Sequence, residues 1–310
     1  MALQIADDVV FDRMAAPLGK VWEQHATAFY AAEQLGIEEK LRQDFFDAIH
    51  KDGQRLTDKD DIAEFFTDYG VSKDEALKAL DSFGVKATFY PLPEAVGERL
   101  EGWKAAVAAG HEIGNHTVGH PCTGNFSWTR YDGVVLEDYD LQRMRREIVD
   151  ANDQLKAALG VRPASFAYPC GQTFVGRGAE VRSYVPLVAE LFQTGRRWLD
   201  ETTNAPEHFD PAQITSMRMD GEGFGNIQRR IEYTKRSGNW LVLAGHEVRE
   251  PDHEGRGGTS ALMLRELLTY AADPANSVWG APVAEVATYN LALDASTYVK
   301  ISAKQAKLGR

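Results

Sequence analysis

The chain has 310 residues, of which 44% are hydrophobic and 26% charged, enough for one large globular domain or for a large and a small one. The net charge of −12 argues against nucleic acid as a partner, because phosphate binding needs a basic face. No apolar run is as long as a membrane span, so we expect no membrane partner. Residues 1–8 lack the features of a secretory signal, and two cysteines are too few for a disulfide framework. We therefore expect a cytoplasmic protein, with a periplasmic or secreted location as the alternative if the N-terminus has been altered.

The first part of the chain, residues 15–83, has apolar side chains at helical spacing. One helix is expected over 38–50. Thr57 is expected to cap the next helix, whose first turn carries Asp60 and Asp61. Four short helices in succession predict a small α-helical bundle over residues 1–83, and we find no catalytic motif in it.

Short apolar strands alternate with helices from residue 84 onward. Strands are expected over 85–90, 165–168, 240–244 and 278–286, and helices over 94–109, 141–159, 184–192 and 262–272. This alternation predicts an α/β domain over 84–310, built on a parallel sheet or barrel. In such folds the reactive residues lie at the C-terminal ends of strands.

Three of the eight histidines lie within residues 111–120, after the first expected strand. His116 and His120 are four residues apart, a spacing that on a helical turn places two imidazoles on one face. Two neutral imidazoles are good ligands for zinc, and a third ligand is not visible from the spacing. The ordinary structural alternative is a capped turn with two polar surface residues.

Several motifs, in order, resemble polysaccharide deacetylases of carbohydrate esterase family 4 over about residues 80–292. They are the segment Leu80–Tyr90, His116-Thr117-Val118-Gly119-His120, Phe166-Ala167-Tyr168-Pro169-Cys170-Gly171, Leu241-Val242-Leu243-Ala244-Gly245-His246-Glu247 and Trp279-Gly280-Ala281-Pro282-Val283. The resemblance implies a distorted (β/α) barrel of the polysaccharide-deacetylase type with an Asp-His-His metal site. The resemblance implies a divalent metal as cofactor, expected to be Zn²⁺, which would polarise an amide carbonyl and activate a water.

The resemblance also implies roles for individual residues. His116 and His120 are the expected metal ligands, and His246 is expected to protonate the leaving amine. The family's Thr-Phe-Asp-Asp-Gly motif is not evident, which leaves Asp7 as the candidate base and Asp8 as the candidate third ligand. The other Asp-Asp pair is at 60–61, and an ordinary solvated pair is the alternative for both. The expected substrate-binding residues are Tyr168, Pro169, Gly171 and Trp198.

Two further points stay open at this level. The family usually carries an arginine before its proline, a position for which Arg177 and Arg196 are the candidates in this chain. Cys122 and Cys170 could be a fourth ligand, a disulfide or inert side chains, and we favour inert or paired cysteines.

Residues 7–85 resemble a different family, the helical insertion of periplasmic thiol–disulfide oxidoreductases. The resemblance is carried by Asp8-Val9-Val10-Phe11, Trp22-Glu23-Gln24-His25-Ala26, Ala28-Phe29-Tyr30-Ala31-Ala32-Glu33 and Asp68-Tyr69-Gly70-Val71. The redox C-x-x-C of that family has no counterpart in the sequence. We interpret the chain as a fusion, natural or artificial, joined near residues 80–85.

The sequence therefore predicts a metal-dependent hydrolase that removes N- or O-linked acetyl groups from a polysaccharide or a related amide. The alternative is a catalytically impaired carbohydrate-binding pseudoenzyme, or a fusion protein lacking the catalytic Asp-Asp motif. A second alternative is a fragment of a thiol–disulfide oxidoreductase, which the missing C-x-x-C disfavours. The expected partner is a carbohydrate or small amide substrate, and the sequence does not give the oligomeric state.

Overall fold

The computed structural model describes residues 24–25, 27–29, 31–32, 35–73, 85–249 and 258–292. The chain divides into two compact units, one made of residues 1–85 with 268–279 and the other of 86–267 with 280–310. The predicted layout places 268–279 in the second domain, whereas here these residues group with the first unit. Within the described ranges, every helix is too short or too polar to cross a bilayer.

The first unit contains helices Glu38–His50 and Lys59–Thr67, which contribute to one apolar core. The first of them has the predicted bounds. The second begins after Asp58, whose carboxylate accepts the N–H of Asp60 at 2.8 Å, so the prediction of Thr57 as its cap is wrong by one residue. Asp60 and Asp61 lie in its first turn, as expected. The predicted fourth helix lies, after Lys73, outside the described residues.

The second unit is built on short strands. They are β1 (Thr88–Phe89), β2 (Glu112–Ile113), β3 (Ser165–Ala167), β4 (Phe174–Val175), β5 (Arg182–Ser183), β6 (Thr194–Arg196), β7 (Met217–Arg218), β8 (Leu243–Ala244), β9 (Val248–Arg249) and β10 (Thr259–Ser260). The pairs β1–β2, β3–β6, β7–β8 and β9–β10 are parallel, and β4–β5 is antiparallel. Isolated parallel bridges link Asn115, just after β2, to Phe166 of β3, and Arg196 of β6 to Ile214, which precedes β7. The unit is therefore α/β, and closure into a barrel stays a prediction.

Helices connect these strands. Their bounds are Pro93–Glu98, Leu100–Ala108, Ser127–Asp132, Leu141–Leu159, Val185–Leu191, Phe224–Ser237 and Ala261–Ala272, with a last helix over 283–292. The helix Leu141–Leu159 has the predicted bounds, because Asp140 caps its first turn and Gly160 ends it with φ +74°. The single helix predicted over 94–109 is wrong, since the backbone of Arg99 leaves the helical region and divides it in two.

The end of the chain also differs from the prediction. No strand forms among the described residues 278–286, and residues 283–292 are helical instead. Two side chains satisfy the first N–H groups of this helix: Thr88 Oγ1 accepts the N–H of Val283 at 2.8 Å, and the carboxylate of Glu112 accepts that of Ala284 at 3.1 Å. The apolar run at 240–244 forms a strand only over its last two residues.

Candidate functional site

His116 and His120 lie in a loop that follows β2. Their ring centroids are 4.6 Å apart, at an interplanar angle of 77°. The predicted helical turn is wrong, because Thr117 and His120 have φ values of +67° and +52°. The buried amide of Asn115 fixes this loop: its oxygen accepts the N–H of Thr117 at 2.8 Å, and its nitrogen donates to the carbonyl of Ile148 at 2.9 Å.

His116 is held as a neutral imidazole. Its Nδ1 lies 2.8 Å from the carbonyl oxygen of Ala167, and because a carbonyl can only accept, Nδ1 carries the proton and the Nε2 lone pair is free. Burial, with His120 and Arg196 adding to it, holds the pKa of His116 well below its ordinary value. Burial lowers the pKa of His120 as well, and nearby His246 and Arg196 contribute. This is the protonation state that metal ligation requires.

These two imidazoles fit a divalent metal, but the described residues do not complete the ligand set. Among the described residues, no carboxylate lies within ligand distance of both His116 and His120. The three residues whose donor atoms do lie close together are His120, Cys122 and Cys170. The two cysteines are joined in a disulfide, which settles their open alternatives as a paired state. The expected base and third ligand, Asp7 and Asp8, lie outside the described residues.

His246 follows β8 and is paired with a carboxylate that the sequence did not reveal. Its Nδ1 lies 2.6 Å from Oδ2 of Asp220, and its backbone N–H donates to Oδ1 at 3.0 Å. The hydroxyl of Thr259 also donates to Oδ1, at 2.9 Å. Burial alone would raise the pKa of Asp220, but the hydrogen bonds from His246 and Thr259 outweigh it and lower that pKa. The ionised carboxylate therefore orients the imidazole with Nε2 turned away from it.

Gly245 makes this pairing sterically feasible. A Cβ at this position would lie 2.1 Å from Oγ1 of Thr259 and 3.0 Å from Oδ1 of Asp220. Only a residue without a side chain lets the β8 backbone approach so closely.

One wall beside His246 is formed by Trp198, whose ring centroid is 4.9 Å from that of the histidine. Gly171 packs against Trp198 and has a φ of +68°. A Cβ at this position would lie 2.9 Å from the backbone nitrogen of Trp198, so there is no space for a side chain. The guanidinium of Arg196 lies 4.8 Å from the ring centroid of Tyr90 and 6.0 Å from that of Trp198. Of the two candidate arginines, Arg196 is therefore the one that lies at the site.

Tyr168 does not line the expected groove. Its side chain is fully buried, and its hydroxyl donates to the carbonyl of Ala212 at 2.7 Å. The ring packs in the core against Phe166 and Tyr184. The prediction of a groove wall is wrong for this side chain, because Tyr168 continues β3, whose residues are all buried. Pro169 is buried as well.

Two other candidates have structural contacts. His111, the third histidine of residues 111–120, precedes β2, whereas His116 and His120 follow it. Its Nδ1 accepts the N–H of Ala87 at 3.1 Å. Arg177 forms an exposed ion pair with Asp138 at 2.8 Å.

An exposed aromatic pair adjoins His120. The ring of Trp128 is 5.7 Å from that of His120, and Phe126 lies nearly parallel to Trp128 at 6.1 Å. The exposed fraction is 44% for Phe126 and 38% for Trp128. They present an exposed apolar surface beside the two imidazoles.

Comparison with protein families separates the chain into two parts. Residues 57–183 match the family model of polysaccharide deacetylase, and residues 8–90 match that of the DSBA-like thioredoxin domain. The chain therefore carries one segment that is similar to polysaccharide deacetylases and one that is similar to DsbA. His116 and His120 lie within the matched deacetylase segment, whereas Asp220 and His246 follow it.

The individual relatives cover only parts of the chain. The thiol:disulfide interchange protein DsbA of Pseudomonas syringae pv. tomato is 43% identical over 83 residues, 27% of this chain and 39% of the relative. The uncharacterized protein YlxY of Bacillus subtilis is 31% identical over 98 residues, 32% of this chain and 27% of the relative. The chain thus spans about two fifths of the DsbA relative. A putative polysaccharide deacetylase structure from Mycobacterium smegmatis shares 19% identity at a TM-score of 0.47, covering 69% of this chain and 74% of that one.

Sequence reasoning about the deacetylase segment and the residues after it missed Asp220, Thr259 and the aromatic pair. A signal for Asp220 is present: it directly follows an alternating run, Met217-Arg218-Met219, at the end of the strand that pairs with β8. Thr259 has no comparable signal, because its contact with Asp220 joins residues 39 positions apart.

Proposed function

We propose that the chain is a metal-dependent hydrolase that removes N- or O-linked acetyl groups from a polysaccharide or a related amide. The observation that carries the proposal is that His116, His120 and the Asp220–His246 pair all follow parallel strands of the same unit, with His246 close enough to influence the pKa of both His116 and His120. A neutral imidazole pair beside an oriented imidazole–carboxylate pair is the donor set that metal-assisted amide hydrolysis needs.

In this proposal His116 and His120 hold the metal, which we expect to be Zn²⁺. When bound, the metal polarises the acetyl carbonyl and lowers the pKa of a water. His246 delivers a proton from Nε2 to the leaving nitrogen. Asp220 accepts a hydrogen bond from Nδ1, which fixes the orientation of the ring and places a negative charge next to it. The third ligand and the base are assigned from the sequence alone, to Asp8 and Asp7, which lie outside the described residues.

A carbohydrate substrate is supported by the exposed ring of Trp128 next to His120, since sugar rings pack on aromatic faces. Trp198 and Gly171 are proposed to bind the same substrate on the side of His246. Pro169, being buried, would act only through the backbone of this turn.

The test is deacetylation of N-acetylglucosamine oligosaccharides by the full chain, together with its metal content after purification. We expect about one metal ion per chain and acetate release that is lost in the Asp7→Asn/Asp8→Asn double variant. Unchanged acetate release in that variant would overturn the roles given to these two residues. Acetate release that persists after complete metal removal by a chelator would overturn the mechanism.

A second candidate function is a catalytically impaired carbohydrate-binding protein. The observation favouring it is that the described residues place no carboxylate with His116 and His120 at ligand distances. It predicts saturable binding of the same oligosaccharides without acetate release. A thiol–disulfide oxidoreductase fragment is the third candidate, and insulin reduction above the uncatalysed rate would support it.

We also propose that the chain works in an oxidising compartment. Disulfides such as Cys122–Cys170 persist mainly outside the reducing cytosol, and the DsbA-like segment agrees with that setting. The cytoplasmic expectation finds no support in the comparisons.

A further inference from the structure

The disulfide between Cys122 and Cys170 lies against one of the two site histidines. Nδ1 of His120 is 3.7 Å from Sγ of Cys122. One nitrogen of His120 and the two sulfurs all lie within 4.8 Å of one another. Cys122 is fully buried, whereas His120 and Cys170 are half-buried. The disulfide thus connects the loop of His120 to the turn Pro169–Gly171. At this point one imidazole nitrogen and two sulfur atoms, all of them possible metal ligands, lie close together.

While the disulfide is intact, it favours one tautomer of His120. A disulfide sulfur carries no proton and can only accept, so a neutral His120 facing it presents Nδ1 as the N–H and keeps its lone pair on Nε2. His116 has the same arrangement, with Ala167 as the acceptor. The oxidised chain therefore offers two imidazoles of matching tautomer.

We propose that reduction of Cys122–Cys170 turns this corner into a second metal site, in which His120 Nδ1 and the two thiolates bind Zn²⁺ or a similar divalent ion. With Zn–S at about 2.3 Å and Zn–N at about 2.0–2.1 Å, a tetrahedral site needs an S···N separation of about 3.6 Å. The present separation of Nδ1 and Cys122 Sγ is 3.7 Å. Only the second sulfur has to move, away from its bonded partner.

The two sites compete for one residue. A neutral imidazole has a single lone pair, so His120 cannot bind one metal through Nδ1 and serve as a neutral ligand beside His116 through Nε2. Reduction therefore removes His120 from the pair with His116. This inference goes beyond the proposed function, because it needs neither a substrate nor a catalytic base.

The chemistry balances with a named reductant. A dithiol breaks the S–S bond by exchange, supplies two electrons and two protons to form the thiols of Cys122 and Cys170, and is itself oxidised to a disulfide. Metal binding then releases both thiol protons, and each sulfur donates an electron pair to the ion.

The experiment uses the full chain with Co²⁺ as the probe. In one arm the protein is untreated, and in the other it is reduced with a water-soluble phosphine, which takes up oxygen from water to become the phosphine oxide. We expect a sulfur-to-cobalt charge-transfer band at one Co²⁺ per chain in the reduced arm alone, and its loss when Zn²⁺ is added. The sequence contains only two cysteines, so the band reports this pair.

Variants separate the proposed site from binding by two free thiols. His120→Ala should weaken Co²⁺ binding to the reduced chain by more than about 100-fold, beyond the range of about 10- to 100-fold that loss of an outer-sphere partner costs. The exposed His208→Ala is the matched control and should leave the band and its affinity unchanged. Cys122→Ser/Cys170→Ser should abolish the band.

Three results would overturn the proposal. They are the absence of the band when thiol titration shows two free thiols, an unchanged Co²⁺ affinity in His120→Ala, and loss of the near-ultraviolet circular dichroism of the chain on reduction. None of them depends on acetate release, so the proposed deacetylase function stands or falls separately.

Discussion

His116 and His246 both follow parallel strands of the same unit, but their ring nitrogens are held by different partners. A backbone carbonyl accepts the Nδ1 proton of His116, whose side chain is partly buried. The carboxylate of Asp220 faces Nδ1 of His246, whose side chain is 66% exposed. A neutral acceptor in a buried setting keeps an imidazole uncharged, whereas a carboxylate offsets the charge of a proton that the ring picks up and passes on. In the proposed function, this difference at Nδ1 separates the metal ligand from the proton donor.

The largest effect is expected from removing either ring. His246→Ala should reduce the rate of acetate release about 10²- to 10⁴-fold, the usual contribution of a general acid, while the metal content stays unchanged. His116→Ala should lose both activity and metal. Metal analysis beside initial rates measures both. If His246→Ala also loses its metal, the two histidines do not have the separate roles that their partners indicate.

The second prediction concerns the carboxylate. Asp220→Asn should lower activity about 10- to 100-fold, the range found for outer partners that orient a histidine, with metal content retained. It should also lower the free energy of unfolding at neutral pH, because hydrogen bonds to a charged group contribute about 1.5–3 kcal/mol.

That stability difference should depend on pH in one direction. The pKa of Asp220 is lower in the folded chain than its ordinary value of 3.8, so its contribution is fully present above about that pH and is lost as the pH falls further. Denaturant unfolding of the wild type and Asp220→Asn from pH 7 to pH 3 should show the gap closing. A gap that widens below pH 4 would contradict the hydrogen-bonded, ionised state of Asp220.

The sequence predicted the parts of this comparison that depend on near neighbours. The bounds of Leu141–Leu159 follow from Asp140 and Gly160 at its ends, and the strand end before His246 follows from the short apolar run at 240–244. The strand before His116, Glu112–Ile113, was not among the predicted strands. The partners of the histidines were not predictable in this way, because Ala167 and Asp220 lie 51 and 26 positions from them.

One wrong prediction and one question left open by the sequence have the same cause. The helix 283–292 receives hydrogen-bond acceptors from Thr88 and Glu112, which lie 195 and 172 positions away in the sequence. The pairing of Cys122 with Cys170 spans 48 positions, and spacing alone left it open. Pattern within a window of ten or twenty residues carries no information about such contacts.

The third prediction tests the close approach that brings Asp220 to His246. Gly245→Ala should destabilise the chain by about 1–3 kcal/mol, because its Cβ would meet Thr259 and Asp220 in a packed region. Gly102→Ala is the matched control: Gly102 lies in a helix with open space around it, so alanine should leave stability unchanged or raise it by up to about 1 kcal/mol. Thermal unfolding of both variants measures the difference, and equal melting temperatures would contradict the steric argument.

The smallest effect is expected at Tyr168, where the structure departs from the predicted groove wall. Tyr168→Phe keeps the ring in the core and removes the hydrogen bond to the carbonyl of Ala212, so it should cost about 1 kcal/mol of stability and leave kcat/KM unchanged. Trp198→Phe provides the contrast, because Trp198 contacts His246 and should change kcat/KM with little effect on stability. If Tyr168→Phe lowers kcat/KM tenfold at unchanged stability, the tyrosine hydroxyl acts on substrate, and the buried arrangement is wrong. Tyr168 and Trp198 follow the adjacent strands β3 and β6. The two variants therefore distinguish a side chain that only packs in the core from one that contacts His246 at the proposed site.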